Sequence, residues 1–333
     1  MNAAGKATIY DIARHAKVGI ATVSRVLNGS RRVAEPTRLA VRRAVEELGW
    51  RPSRAARRLA ARGAERPRLA ALMPLFSANF YHAVTSPLAG GLAAAGIDLA
   101  IYDVPDREIK NRLLDRVLAE RACELLMLCS MRIGPERAEQ LRSLAMPTIF
   151  VDLAQDGFPS VSVDNHEGAM LQYRFLKARG CKRIAYVSGP ADAHAYRDRE
   201  EGFRAVAGPE APVELAAAMT VAEGRAACIR LLGRDRRIDG VVCVNDIPAI
   251  GVVEELRARK RLVPQDVQVI GFDDQPLMDV FGLTTVRQPL PEFGDWALHA
   301  IHRLAVEPAT PIASARLALT ITERGTTRRL GPG

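Results

Sequence analysis

Residues 9–28 read IYDIARHAKVGIATVSRVLN. The spacing predicts two short helices joined by a tight turn. Thr8 suits an N-cap, and Asp11 three residues later favours the positive first turn. Ile12, Ala13 and Ala16 recur at helical spacing and make one apolar stripe. Val18-Gly19 supplies the turn, with Gly19 free to leave ordinary dihedral space. The second helix hides Val23, Val26 and Leu27. Its outer face then holds Ile20, Ala21, Thr22, Ser24, Arg25 and Asn28. Small, hydrogen-bonding groups on a helix suit the major groove, where base edges must be approached closely. The competing reading is an amphipathic hairpin of no special purpose, and the flanking sequence decides between them.

Charge separates the two. Residues 1–68 hold 16 Lys and Arg against 5 Asp and Glu, a net of +11, while the whole 333-residue chain carries +9. The excess sits in the first fifth of the chain, the footprint of a polyanionic partner. An anionic membrane would want bulky apolar residues along one side of a helix, whereas this segment turns them into a small core. A third helix follows. Val41, Ala44, Val45 and Leu48 fall at i, i+3, i+4 and i+7, Pro36 fits its first turn and Gly49 its stop. Arg38, Arg42 and Arg43 lie off the stripe, divided between phosphate contact and plain solvation. Residues 53–62, SRAARRLAAR, hold four arginines and Leu59. A helix so short is unstable alone. It reads as a linker, or as a segment that folds only on DNA, with arginines along the minor-groove phosphates and Leu59 wedged between base steps.

TIYDIARHAKVGIATVSRVLNGSRRVAEPTR and EELGWRPSRAARRLA closely resemble the lactose-repressor (LacI/GalR) family of bacterial transcription regulators. The likeness continues in order through VDN (163–165), ND (245–246), VIGFDD (269–274) and TTVRQP (284–289). By this resemblance Ile20, Ala21 and Arg25 fall on base-reading positions. Thr8, Tyr10, Thr22, Ser24 and Asn28 fall on backbone-contact positions and Leu59 on the wedge. Arg32 and Arg58 complete the expected DNA-binding set. Gly19 replaces a usual Ser, Ala34 stands where a Ser usually caps the third helix, and Ser53 where Asn is common in the hinge.

The rest of the chain alternates apolar runs with helical patterns. LAALMPLF, IDLAIYDV, ELLMLCS, TIFVDL, RIAYVSG, DGVVCVND and VQVIGFDD read as buried strands. Residues 106–121, 165–179, 224–233 and 246–260 read as helices between them. Such alternation means parallel sheets covered on both faces, and seven or more strands suggest two doubly wound lobes. Residues 69–97 carry no Asp, Glu, Lys or Arg, yet Pro74, Asn79, His82, Pro87 and Gly90-Gly91 break the run into strand, loop and helix rather than a membrane span. GGLAAAG (90–96) follows no phosphate-binding turn and reads as close helix packing. The five cysteines are scattered and read as small buried hydrophobes. His299 and His302 share a helical pattern without further metal ligands. No phosphate loop, GxSxG elbow or HExxH is present. The reading is therefore no catalytic residues, no metal and no cofactor.

Ligands of doubly wound sheets bind beyond the carboxyl ends of the strands. Asp152 follows TIFV, Asn245-Asp246 follows VVCV, and Asp273-Asp274 follows VIGF. Each alone reads as a helix cap. Together they suggest a polyhydroxylated or heterocyclic ligand, because buried donors and acceptors need partners. The resemblance implies Asp152, Arg199, Asn245 and Asp273 as effector contacts. Phe80 and Tyr81, in SANFYHAV, match the family's SNPFF loop without its proline. Residues 208–218 form a shorter segment than usual, implying a different pocket wall.

The expected fold is an N-terminal all-α helix-turn-helix domain (1–51), a hinge helix and linker (52–68), and an α/β periplasmic-binding-protein-like domain (69–333) of two doubly wound parallel-sheet lobes. Lobe 1 spans about 69–163 and 290–313, and lobe 2 about 164–288 and 316–327. The expected function is a homodimeric repressor on a pseudo-palindromic double-stranded operator, controlled by a sugar or sugar derivative in the inter-lobe cleft. The alternatives are a co-repressed regulator sensing a nucleobase or nucleoside and, more distantly, a sugar- or nucleotide-metabolising enzyme with an added DNA module. With no secretory signal or membrane span read from the sequence, the expected location is cytoplasmic and nucleoid-associated.

Overall fold

The computed structural model describes residues 9–27, 33–48, 66–74, 80–120 and 122–328, without the side chains of Ile9, Tyr10, Ala21, Ser24, Arg25, Leu27 and Arg107. The chain divides into two compact units, Met1–Arg66 and Pro67–Gly333.

The first unit contains α1 (Ile9–His15), α2 (Ile20–Leu27) and α3 (Glu35–Glu47). Ile12, Ala13, Val23, Val26, Val33, Val41 and Ala44 form its small core. The α1–α2 turn differs from expectation. The left-handed residue is Lys17 (φ 54°), not Gly19. The Val18 N–H bonds the Ala13 carbonyl at 3.0 Å, which closes α1 and requires the intervening Lys17 to turn left-handed. Gly19 instead leads into α2, its carbonyl accepting from Thr22 N–H at 2.8 Å and Val23 N–H at 3.1 Å. At α3, Ala34 gives no side-chain cap, and Pro36 opens the helix.

The second unit carries two six-stranded sheets. The first lobe runs β1 (Arg68–Met73), α4 (Phe80–Ala94), β2 (Asp98–Asp103), α5 (Arg107–Ala119), β3 (Leu125–Cys129), α6 (Pro135–Ser143), β4 (Thr148–Val151) and β5 (Ser160–Val163). The second runs α7 (Asn165–Ala178), β6 (Ile184–Ser188), α8 (His194–Ala207), β7 (Val213–Leu215), α9 (Val221–Arg234), β8 (Gly240–Cys243), α10 (Asp246–Ala258), β9 (Gln268–Asp273), α11 (Met278–Phe281) and β10 (Thr285–Arg287). The chain then returns through α12 (Leu290–Val306) and β11 (Ala315–Leu317), and crosses to β12 (Thr320–Thr322).

The sheets are ordered β11-β5-β4-β3-β1-β2 and β12-β10-β9-β8-β6-β7. All pairings are parallel except β10 with β12. In β1, Leu69, Ala71 and Met73 face α4 and α12, while Ala70 and Leu72 face the other core with α5 and α6. Burial on both faces explains why the strands read as continuous apolar runs. The second sheet is likewise covered by α9 and α10 on one face and by α7 and α8 on the other.

All seven apolar runs form strands. The short β5, β7, β10, β11 and β12 were not read from the sequence, since three or four residues carry too little pattern. β11 pairs with β5 in the first sheet, so Arg316 and Leu317 belong there and not to lobe 2 as expected. Hydrogen bonding to β5 holds it, and the crossing lies between Leu317 and Thr320. Pro87 lies inside α4 and does not break it. Gly91 allows α4 to approach α12: a Cβ there would stand 2.3 Å from Leu298 Cδ2. All five cysteines are buried and none is in a disulfide. His299 and His302 lie on α12, and among the described residues no group of three or more metal-ligating side chains is clustered. No helix among them is long and apolar enough to cross a membrane.

Candidate functional site

A cleft of about 890 Å³ lies between the lobes and is lined by all six of Phe80, Tyr81, Asp152, Arg199, Asn245 and Asp273. The strand order explains its position. In each sheet the order reverses at one gap, between β1 and β3 and between β6 and β8, and segments leaving those carboxyl ends diverge to open a crevice. Phe80 and Tyr81 begin the helix after β1, and Ser130 follows β3. Asn245 follows β8. Several strand ends turn abruptly there: Ser130 (φ 55°), Asp152 (φ 61°) and Asp273 (φ 111°) all occupy the positive-φ region that side chains disfavour. Strain of this kind persists where surrounding structure holds it and gathers at binding sites.

The second-lobe wall is organised around Arg199, which is 3% exposed. Its Nε donates to Asn165 Oδ1 at 2.8 Å, and its terminal nitrogens donate to the Val244 carbonyl at 2.6 Å and Asp273 Oδ1 at 3.2 Å. The guanidinium lies 3.6 Å from the Phe272 ring centre. Asp273 also accepts from Gln288 Nε2 at 2.8 Å and Gln275 Nε2 at 3.1 Å. Burial pushes the Asp273 carboxyl up, and Arg199 and the two amides pull it back. Behind it, Asp246 accepts from Thr285 Oγ1 at 2.6 Å and from the Gln275 N–H at 2.8 Å. Burial and then the Asp273 charge raise its carboxyl well above the usual range.

The first-lobe wall centres on Asp152. Tyr81 Oη donates to Ser130 Oγ at 2.7 Å, and Ser130 Oγ donates to Asp152 Oδ2 in a short hydrogen bond. Asp152 Oδ1 is buried without a partner. Burial pushes Asp152 up to about 6, although the Ser130 bond and Arg199 oppose the shift and Asp273 adds to it. Phe80 packs edge-on against Tyr81 at 5.1 Å and against Phe293 at 6.2 Å.

Two expected roles divide. Asn245 lines the cleft and also caps α10, its Oδ1 accepting the Ile247 N–H at 3.1 Å. Asp274 is tied to Arg324 at 2.8 Å and to Thr322 Oγ1 at 3.2 Å, so it braces the strand end. Residues missed from sequence include Ser130, Arg132, His194, Tyr196 and Gln288, which also line the cleft. Ser130 and Gln288 follow strands and were open to the same strand-end reasoning, while the others sit in loops or on a helix whose direction no local pattern reveals. In the 208–218 segment and just beyond it, Ala217, Ala218 and Met219 form part of the wall.

In the first unit, Ile20 is 41% exposed on α2 and Thr22 half-buried. Tyr10, Ala21, Ser24 and Arg25 lie on helices α1 and α2, but their side chains are outside the description. Thr8, Asn28, Arg32, Arg58 and Leu59 lie outside the described residues.

A helix-turn-helix unit followed by a two-lobed α/β unit with a cleft at its strand ends defines a ligand-responsive DNA-binding protein. Residues 8–53 match the family described as "Bacterial regulatory proteins, lacI family", and residues 173–327 match "Periplasmic binding protein-like domain". The chain is 32% identical over 329 residues to the ribose operon repressor of Escherichia coli (strain K12), covering 96% of this chain and 99% of that one. A solved complex titled "transcriptional regulator CelR-cellobiose complex" superposes with a TM-score of 0.68 at 26% identity, covering 96% of this chain and all of that one. The structure of the lac repressor dimer bound to operator and the anti-inducer ONPF shares the fold, with a TM-score of 0.69 at 22% identity over 97% and 99% of the two chains. The chain belongs to the lacI family of bacterial regulatory proteins. It is a DNA-binding transcriptional regulator with an effector-binding unit, and not an enzyme.

Proposed function

We propose that this regulator is a homodimeric repressor whose grip on a pseudo-palindromic operator is set by a sugar bound between the lobes. Phe80, Tyr81, Asp152, Arg199, Asn245 and Asp273 would contact the sugar. Ile20, Ala21 and Arg25 would read bases, Thr8, Tyr10, Thr22, Ser24, Asn28, Arg32 and Arg58 would hold the backbone, and Leu59 would wedge the minor groove. Residues 1–51, 52–68 and 69–333 would act as reader, hinge and sensor, inside the cell at its DNA. The observation that carries the sugar is a pair of cleft-lining acceptors, Asp152 Oδ1 and Gln288 Oε1, both buried without partners. A buried acceptor left unmade costs about 1–3 kcal/mol, which a ligand hydroxyl would recover. Relatives named for ribose and cellobiose favour a sugar over a nucleobase.

The test is to select a duplex from a random pool with the full chain and titrate ribose, cellobiose and other sugars against the complex. At least one sugar should change operator affinity about tenfold or more, a coupling of ~1.4 kcal/mol. Affinity should also fall steeply with salt as phosphates shed counterions. Affinity indifferent to every sugar would overturn the sensing half, and a flat salt dependence the DNA half.

A further inference from the structure

We propose that the rim of the cleft is an anion site, so that the effector is a polyhydroxylated molecule carrying a phosphate or carboxylate. This rests on the sugar reading and narrows it. Three cations from separate elements line the cleft: Lys110 of α5, Arg132 in the loop after β3, and Arg197 of α8. Lys110 Nζ donates to the Arg132 carbonyl at 2.8 Å, which holds the lysine against the arginine's backbone. Arg132 and Arg197 are exposed, whereas Arg199, Asp273 and Gln288 are buried, so the cations sit outside the polar floor.

The pairing of Arg132 and Arg197 is what sets these two apart. The neighbouring rim residue Arg137 is taken by Asp115 at 2.7 Å and Gln140 at 2.6 Å. Elsewhere in the unit Arg230 and Arg234 share Glu214, and Arg225 and Arg259 share Glu255. Among the described residues no carboxylate pairs with Arg132 or Arg197; the Arg197 guanidinium instead touches His194 Nδ1. Besides Asp152 and Asp273 of the floor, two further aspartates line the cleft. Asp106 is engaged as the cap of α5, accepting the Ile109 N–H at 2.8 Å, and Asp192 is exposed.

The backbone adds to the positive field. Helix α8 begins at His194 with no side-chain cap from Ala193, and His194, Ala195 and Tyr196 all line the cleft. Its uncapped first-turn N–H groups and the helix dipole favour an anion. His194 reports that field: burial lowers its affinity for a proton, and Arg132, Arg197 and Lys110 lower it further against the opposing pull of Asp198. Guanidinium forks match phosphate or carboxylate oxygens in two parallel hydrogen bonds, so Arg132 and Arg197 are suited to one such group. The floor acceptors Gln288 Oε1 and Asp152 Oδ1 remain for hydroxyls of the same ligand.

The test uses the full chain with matched probes: ribose and ribose 5-phosphate; glucose, gluconate, glucose 6-phosphate and 6-phosphogluconate; and inorganic phosphate alone. Binding is read by calorimetry and by the melting midpoint. At least one anionic probe should bind about tenfold or more tighter than its neutral parent, because charge-assisted bonds are roughly twice as strong as neutral ones. That preference should shrink in Arg132→Gln and Arg197→Gln, to within about threefold of the neutral parent. A larger gain from phosphate than from carboxylate, or the reverse, identifies the group. Neutral parents binding as well as their anions, or a preference unchanged in both variants, would overturn the anion site and leave the sugar reading standing. No binding by any probe would overturn both.

Discussion

The second lobe presents Arg199 and Gln288 to the cleft, both bonded to Asp273, whereas the first lobe presents Asp152 with one oxygen bonded to Ser130 and the other to nothing. The sheets behind the two walls have the same order of reversal. The difference therefore lies in side chains: the second-lobe wall is tied together through Arg199 and leaves an amide oxygen of Gln288 open, whereas the first-lobe wall leaves a carboxylate oxygen of Asp152 open. A bound molecule can shift the lobes only by interacting differently with the two arrangements. The two open acceptors, Asp152 Oδ1 and Gln288 Oε1, are where that difference has room to arise.

The bonded wall breaks most severely at its hub. Arg199→Met would leave Asp273 buried without its cation and should cost ~3–5 kcal/mol, the usual penalty for removing one partner of a buried pair. Urea unfolding of the full chain measures it. A loss within ~1 kcal/mol would mean that Asp273 does not need its partner and that the two walls are alike.

The helix pairs behind the walls give a second contrast. A Cβ on Gly202 of α8 would stand 2.1 Å from the backbone oxygen of His166, whereas one on Gly91 of α4 would meet the Leu298 side chain at 2.3 Å. Backbone cannot yield cheaply and a leucine side chain can rotate. Gly202→Ala should therefore destabilise by ~2–3 kcal/mol through overpacking, while in Gly91→Ala the gain in helix propensity offsets much of a smaller clash. Equal melting shifts for the two variants would remove the distinction.

The smallest effect belongs to Asp152. Its carboxyl is pushed up to about 6 from an ordinary 3.8, so between those pH values the native state holds more protons than the unfolded chain. Stability contributed by the protonated form is present below about pH 4 and is lost as pH rises through 6. Asp152→Asn should abolish that decline, a difference of ~2 kcal/mol in unfolding experiments at pH 4 and pH 7. A hydroxyl donating to Oδ1 favours the carboxylate, so binding of a neutral sugar should tighten as pH rises through 6 in the wild type and not in the variant. Parallel stability curves for the two proteins would place Asp152 in an ordinary solvated setting.

Legibility in the sequence followed the length and burial of each element. Six of the seven readable strands stood out because burial on both faces left unbroken apolar runs, and β2, partly exposed at the sheet edge, was read from its apolar LAIY core; β11 and β12 were not read, since three residues paired at an edge carry no periodicity. Asp152, Asn245 and Asp273 stood out as polar residues ending apolar strands. Arg199 came only through family resemblance, because inside HAYRDREEGFRAVA nothing local distinguishes it from Arg197 or Arg204. Gly19 shows the opposite failing. Its composition suggested the left-handed turn, yet the carbonyl that closes α1 assigned that conformation to Lys17.

The sequence by itself determined the two-unit plan, the parallel sheets and the concentration of positive charge in the first 68 residues, because hydrophobic periodicity and net charge are properties of the linear chain. Tertiary structure alone decided which arginine is buried and which faces the cleft, that Ser130 and Gln288 join the site, and that two acceptors are left without partners. Those outcomes depend on where strand ends from distant parts of the chain converge, and on which donors arrive there together.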